Sequence, residues 1–143
     1  MDKYVICDLD GTLCDHTHRI HFSWSGDWDQ YNSLCEYDSY NNSVLYFLFN
    51  LVNDKNYNII FLTGRSEKVE KETREWLNRY FPGGYHLLMR EEYNYTPAAE
   101  FKKTKLLNSG FNFENIHYAI DDDESCVEMF KSMLVKKVIH FKG

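Results

Sequence analysis

The chain has 143 residues, of which 43% are hydrophobic and 27% charged, and its formal net charge is −6. This predicts one globular domain, residues 1–143, and argues against a broad nucleic-acid surface, which needs clustered Lys and Arg. We find no signal-peptide pattern, no apolar run of the roughly 18 residues that span a membrane and no CxxC pair among four cysteines. We therefore expect a cytoplasmic protein with reduced thiols and no membrane partner.

Short apolar runs alternate with helical patterns along the chain. The runs predict five strands, at 4–8, 58–62, 85–89, 116–120 and 135–141. Helical spacing predicts four helices, one capped by Asn42 or Ser43, one from Ser66 to about Tyr80, one between Pro97 and Gly110, and one after Asp123, which suits an N-cap. Strands separated by helices indicate an α/β protein with a parallel sheet covered on both faces. Residues 11–40 lack periodicity and resemble a long loop with room for one short helix.

The run Asp8-Leu9-Asp10-Gly11-Thr12-Leu13 follows the first strand directly. Asp8 and Asp10 point to the same face, because successive strand side chains alternate. One carboxylate can attack an electrophile, and the other can exchange protons with the leaving group and with water. An acidic pair followed by Gly-Thr also occurs in ordinary turns and helix caps, so this motif alone leaves both interpretations open.

Two more strands end in polar residues of the kinds used in catalysis. Thr63 and Arg65 follow the second strand, and Asp121 and Asp122 follow the fourth. The ends of parallel strands share one edge of the sheet, where ligands bind. Hydroxyl and amide groups near Thr63 can bind phosphate oxygens, and Lys102 can neutralise charge there. Together with Asp8 and the carbonyl of Asp10, the later pair of carboxylates can hold Mg²⁺.

These pieces resemble the haloacid dehalogenase (HAD) superfamily of phosphatases over nearly the whole chain. The resemblance implies a three-layer Rossmann-like fold with a five-stranded parallel sheet in the order 3-2-1-4-5. It implies Asp8 as nucleophile, Asp10 as general acid and base, and Thr63 and Lys102 as further catalytic residues that contact phosphate. It also implies a Mg²⁺ site, formed by Asp8, Asp10, Asp121 and Asp122. Residues 11–40 offer only a small cap in such a fold, so we expect an open site.

A narrower resemblance is to the 3′-phosphatase domain of phage polynucleotide kinase. It rests on the offset of Arg19 from Asp8 and on four segments: Thr63-Gly64-Arg65, Thr73 to Leu77, Leu88-Met89-Arg90 followed by Lys102, and Ala119 to Asp122. It implies a nucleotide or nucleic-acid 3′-phosphate as substrate. The substrate-binding residues expected from it are Gly11, Thr12, Arg19, Gly64, Arg65 and Arg90.

The chain departs from that domain at two points. Ala98 stands where the domain has an Asp, after the stretch Asn94-Tyr95-Thr96-Pro97, which could slow the reaction or alter its selectivity. No Gly-rich phosphate loop with Lys-Ser/Thr is present, so we expect no kinase activity from this chain.

Several alternatives remain open from sequence. A phosphatase for a small metabolite or a nucleoside 5′-monophosphate fits the acidic balance, and a non-catalytic binding module fits the fold. His16, His18 and His21 match no common zinc spacing, and loop histidines at the mouth of the site are the better interpretation. Trp24 and Trp28 could stack on a base or pin their loop to the core, and the second is slightly favoured. The sequence does not determine the oligomeric state.

Overall fold

The computed structural model of the protein describes residues 2–143. Its strands are β1 (Lys3–Cys7), β2 (Cys14–Asp15), β3 (Ser39–Tyr40), β4 (Tyr57–Ser66), β5 (His86–Arg90), β6 (Ile116–Asp121) and β7 (Lys137–His140). Its α-helices are α1 (Ile20–Trp24), α2 (Trp28–Ser33), α3 (Asn42–Lys55), α4 (Glu70–Tyr80), α5 (Ala98–Leu107) and α6 (Glu124–Ser132). No helix among these residues is long and apolar enough to cross a membrane.

Five strands form one parallel sheet in the order β5-β4-β1-β6-β7. The predicted α/β architecture with a five-stranded parallel sheet is therefore confirmed. The numbering differs from the predicted 3-2-1-4-5 because the structure adds β2 and β3, which pair with each other in a separate antiparallel sheet. Counted without that pair, the strands of the large sheet lie in the order 3-2-1-4-5.

The sheet separates two hydrophobic layers. Val5 and Cys7 of β1 pack on one side, in a cluster that includes residues of α3 and α4. Ile6, between them, packs on the other side with residues of α5 and α6. Because both faces are covered, the strands are continuous apolar runs rather than alternating ones. Because β1 pairs in parallel with both β4 and β6, the carboxyl ends of these three strands lie side by side at one edge.

Residues 11–40 contain more structure than predicted. The segment includes α1, α2, the short β2–β3 sheet and a 3₁₀ turn at Cys35–Tyr37. The prediction of a loop with at most one short helix was wrong because α1 buries no residue and α2 buries only Tyr31, so neither shows apolar periodicity. The segment lies over the carboxyl edge of the sheet, where His16, Ile20 and Trp28 line a cavity.

Two helices also differ from the prediction at their N-terminal ends. Helix α3 begins after Asn41, whose side chain makes no cap and instead donates from Nδ2 to the carbonyl of Thr12 at 2.6 Å. Ser66 ends β4 and caps a 3₁₀ turn, so α4 starts later than expected. The Asp123 cap is confirmed, because its carboxylate accepts from the amides of Ser125 and Cys126.

Neighbouring leucines at the end of α5 test this layer arrangement. Leu106 is 1% exposed, whereas Leu107 is 56% exposed. Replacing Leu106 by Ala should lower the free energy of unfolding by about 2–5 kcal/mol through lost burial and a residual cavity. Leu107→Ala should change it by about 0.5 kcal/mol or less. Urea unfolding of both variants measures the difference, and equal losses would contradict this packing.

Candidate active site

The predicted carboxylates meet in one cavity at the carboxyl edge of the sheet. Asp8 follows β1, Asp121 ends β6, and Lys102 reaches the same place from α5. The cavity has a volume of about 670 Å³, within the range of small-molecule sites. Eight residues predicted for the site line it: Asp8, Asp10, Gly64, Arg65, Arg90, Lys102, Asp121 and Asp122.

Asp8 is buried and held at both oxygens. Its Oδ1 accepts from Lys102 Nζ at 3.0 Å, and its Oδ2 accepts from Thr12 Oγ1 at 2.9 Å. Lys102 also donates to Asp121 Oδ2 at 2.6 Å. Burial lowers the pKa of Lys102, but the charges of Asp8 and Asp121 outweigh it and raise that pKa well above the ordinary value. The lysine therefore remains a cation and compensates the buried carboxylates.

Three carboxylates form a cluster suited to a divalent cation. One oxygen from each of Asp8, Asp121 and Asp122 lies within 4.8 Å of the others. Burial, followed by the charge of Asp8, raises the pKa of Asp121 to about 6 and that of Asp122 to about 8. Mg²⁺ prefers oxygen ligands of this type and would relieve the repulsion that raises these pKa values.

Gly11 allows Asp122 to approach the loop after β1. It has a φ of +83°, and a Cβ there would clash with Asp122 Oδ2. Any other side chain would push this carboxylate away. Gly11 thus makes room for the carboxylate cluster, although it does not itself line the cavity.

Asp10 lies in a different environment from Asp8. Its Oδ1 accepts from Nη2 of both Arg19 and Arg65, at 2.5 Å each. Burial raises the pKa of Asp10, but the charges and hydrogen bonds of Arg65 and Arg19 outweigh it and hold that pKa well below the ordinary range. The Asp10 carboxylate is not part of the carboxylate cluster, so a metal role for this residue rests on its main-chain carbonyl.

Asp38, which was not predicted as a site residue, is 3% exposed beside this pair. Its two oxygens accept from Nε and Nη2 of Arg19 at 2.8 and 2.6 Å, and Nη2 of Arg65 lies 3.7 Å from Oδ2. Asp38 follows no strand of the large sheet and matches no motif. No sequence signal marked it, because the need for a second negative charge arises only once two arginines are buried beside one carboxylate.

Four predicted contact residues do not line the cavity: Gly11, Thr12, Arg19 and Thr63. Arg19 and Thr63 are fully buried, and Thr63 Oγ1 accepts from the amide of Arg65 at 3.0 Å. Arg90 lines the cavity, but its guanidinium donates to the carbonyls of Gly64, Asn94 and Thr96. Thr12, Arg19, Thr63 and Arg90 thus stabilise the site through hydrogen bonds to other protein groups.

The histidines do not gather as a metal site. His16 lines the cavity with Nδ1 2.7 Å from the Tyr31 hydroxyl, and His18 Nε2 lies 2.6 Å from Asp38 Oδ1. Trp24 is 76% exposed and does not pin its loop. Trp28 lines the cavity, half exposed, and packs edge-on against Tyr31.

Comparison with known proteins agrees with this geometry. The family model of the polynucleotide kinase PNKP phosphatase domain matches residues 2–139. The chain is 31% identical over 144 residues to a protein of Autographa californica nuclear polyhedrosis virus that is inferred to be a bifunctional polynucleotide kinase/RNA ligase, covering 97% of this chain and 20% of that protein.

Two solved structures have the same fold. A chain of the Pnkp1/Rnl/Hen1 RNA repair complex superposes with a TM-score of 0.82 at 26% identity, covering 99% of this chain and 42% of that one. A haloacid dehalogenase-like hydrolase from Streptococcus pneumoniae superposes with a TM-score of 0.66 at 13% identity, covering 96% and 84% of the two chains. The chain thus spans less than half the length of the viral protein and of the repair-complex chain.

The raised pKa of Asp122 predicts that this carboxylate destabilises the metal-free fold. Stability that depends on its protonated form is present at low pH and is lost as pH rises toward about 8. At pH 8 without Mg²⁺, Asp122→Asn should therefore raise the Tm, and it should abolish the Tm increase that Mg²⁺ produces in the parent protein.

Asp123→Asn is the matched control for this measurement. Asn and Asp cap helices about equally well, so both the Tm and its response to Mg²⁺ should stay near those of the parent. Calorimetry of the three proteins with and without Mg²⁺ measures both effects. A lower metal-free Tm for Asp122→Asn would contradict the electrostatic explanation.

Proposed function

This chain belongs to the family of polynucleotide kinase PNKP phosphatase domains, of haloacid dehalogenase type, and on that premise we propose that it hydrolyses nucleic-acid 3′-phosphates with Mg²⁺. One observation supports the proposal above all. Two carboxylates that are two residues apart line the same cavity but have different hydrogen-bond partners. Asp8 lies with Lys102 and the carboxylate cluster, whereas Asp10 lies with two arginines. Such divergent environments suit a nucleophile beside a proton-transfer group.

The reaction follows from these two environments. An oxygen of Asp8 attacks phosphorus, the bond from phosphorus to the leaving oxygen breaks, and Asp10 gives that oxygen a proton. Water then attacks the aspartyl-phosphate while Asp10 accepts its proton, which releases phosphate and restores Asp8. Because the arginines keep Asp10 ionised in the free site, it must gain its proton before the first step. A monoanionic phosphate monoester carries such a proton.

The carboxylate cluster provides the cation site. Asp8, Asp121 and Asp122 would hold Mg²⁺, together with the main-chain carbonyl of Asp10. Bound Mg²⁺ would neutralise charge on the nucleophile and on the phosphoryl group. Lys102 supplies a fixed positive charge to the same nucleophile and keeps it oriented through its bond to Oδ1.

The mouth of the cavity supports a substrate that carries a nucleobase. Tyr93 and Tyr95 line it, are 78% and 83% exposed, and lie on a loop that Arg90 holds in place. Trp28 presents a third ring from residues 11–40. Exposed aromatic rings beside a phosphate site can stack on unpaired bases. These exposed rings support a nucleic-acid substrate for this chain, of the kind named for its relatives.

The charges at the mouth of the cavity favour binding of a few nucleotides over binding of a long nucleic-acid backbone. Lys68 lies within 4.0 Å of carboxylates of Asp29 and Glu92, and Lys105 pairs with Glu91 at 2.5 Å. These lysines are compensated, so they offer little attraction to a polyanion. The same observation keeps a nucleoside monophosphate phosphatase as the second candidate function.

A matched panel of phosphate esters tests the substrate. We expect Mg²⁺-dependent phosphate release from a 3′-phosphorylated oligonucleotide, and none from Asp8→Asn, which keeps the shape but lacks the nucleophilic carboxylate. The same oligonucleotide with a 5′-phosphate, nucleoside 3′- and 5′-monophosphates, and an aryl phosphate complete the panel. Release from 5′-monophosphates alone would favour the second candidate, and release from nothing would refute phosphatase activity.

Removing a ring at the mouth tests base stacking. Tyr95→Ala should raise KM for the 3′-phosphorylated oligonucleotide roughly 5- to 150-fold, which corresponds to about 1–3 kcal/mol per stacked base. KM for an abasic 3′-phosphate should hardly change. Tyr46→Ala removes a ring that is 64% exposed on α3 and outside the cavity lining, so it should alter neither value. Equal effects of both variants would contradict stacking at Tyr95.

A further inference from the structure

We propose that Asp38 is a positioning residue for the reaction, acting through Arg19 and Arg65 to orient the carboxyl of Asp10. The inference rests on the proposed function, because it assigns Asp10 the transfer of a proton to the leaving oxygen. Asp38 itself does not line the cavity. Its effect on the substrate must therefore pass through the guanidinium groups that it contacts.

Asp38 makes the pairing of two buried arginines with Asp10 possible. Arg19 is 0% exposed and Arg65 is 2% exposed, and Nη2 of each contacts the same oxygen of Asp10. One carboxylate between two guanidiniums would leave a net positive charge out of water, which is costly. The buried carboxylate of Asp38 balances that charge, with a bidentate contact to Arg19 and a longer one to Arg65.

The arrangement distinguishes the two oxygens of Asp10. Both arginines bind Oδ1, whereas Oδ2 accepts a long hydrogen bond from Nε of Arg65 at 3.5 Å. Oδ2 is therefore the oxygen available for proton exchange, and the two guanidiniums fix its direction. Each guanidinium is held from behind: Arg19 Nη1 donates to the carbonyl of Tyr31 at 3.1 Å, and Arg65 Nη1 donates to Thr73 Oγ1 at 3.0 Å.

Asp38 is held in place by the core of the domain. Its main-chain carbonyl accepts from the indole Nε1 of Trp76 in α4 at 2.8 Å, and Trp76 is 2% exposed. His18 also contacts the carboxylate, with Nε2 2.6 Å from Oδ1. Residues 11–40 are thereby connected to the proton-transfer group as well as to the mouth of the cavity.

Dependence on the leaving group tests this role. In Asp38→Asn we expect kcat/KM for a 3′-phosphorylated dinucleotide to fall roughly tenfold more than kcat/KM for 2,4-dinitrophenyl phosphate. An alkoxide leaves poorly without a proton, whereas dinitrophenolate leaves without one. The ratio kcat/KM reports only steps up to formation of the aspartyl-phosphate. It is therefore unaffected by the role of Asp10 in the later hydrolysis of that intermediate.

Val44→Ala is the control for a purely structural effect. Val44 is buried in the same hydrophobic cluster as Trp76, but its apolar side chain makes no hydrogen bond to Asp38 or to the arginines. The variant should leave the ratio of the two kcat/KM values at that of the parent protein. Equal losses for both substrates in Asp38→Asn, or no loss for either, would overturn the proposal.

A second variant keeps the test decisive if Asp38→Asn does not fold. Asp38→Glu retains the buried negative charge but displaces the carboxylate by one methylene, and it should lower the same ratio at least threefold. An unchanged ratio in folded Asp38→Glu would overturn the proposal. If the parent protein hydrolyses neither ester, the proposed function fails, whereas an active parent with unchanged ratios refutes the role of Asp38 alone.

Discussion

Compensation of buried charge at the carboxyl edge of the sheet is the interaction on which this site depends. Asp8, Asp38 and Asp121 are almost fully buried there, and so are Arg19, Arg65 and Lys102. An unpaired ion in such a place costs several kcal/mol, so each charge must have a partner of opposite sign. Asp10 and Asp122 add two further carboxyl groups at the cavity, which suits a divalent cation and a site that handles phosphate.

The charges divide into two groups that meet at the cavity. Lys102 joins Asp8 to Asp121 on one side, and the arginines join Asp10 to Asp38 on the other. Two carboxylates only two residues apart thereby acquire different chemistry from their surroundings. The parallel sheet makes this possible, because its strand ends bring both carboxylates to the same edge. Separate helices and loops then supply the lysine and arginines that pair with them.

Prediction from sequence succeeded where the signal was local. Buried strands are continuous apolar runs, so Ile59–Leu62 and Val5–Cys7 were recognisable without knowledge of their neighbours. It failed where structure depends on distant partners, because α1 and α2 bury almost nothing themselves and so show no apolar periodicity. The ion pairs of Arg19 with Asp10 and Asp38 were likewise not recognisable from sequence.

The amino-acid sequence by itself determined the α/β class and the residues that gather at one edge of the sheet, because strand periodicity and spacing along the chain encode them. Only the tertiary structure decided what those residues contact. It paired Asp10 with two arginines, placed Asp38 behind them and turned Arg90 toward loop carbonyls. Such pairings join residues far apart in the chain, and burial selects them through the need to compensate charge and satisfy hydrogen bonds.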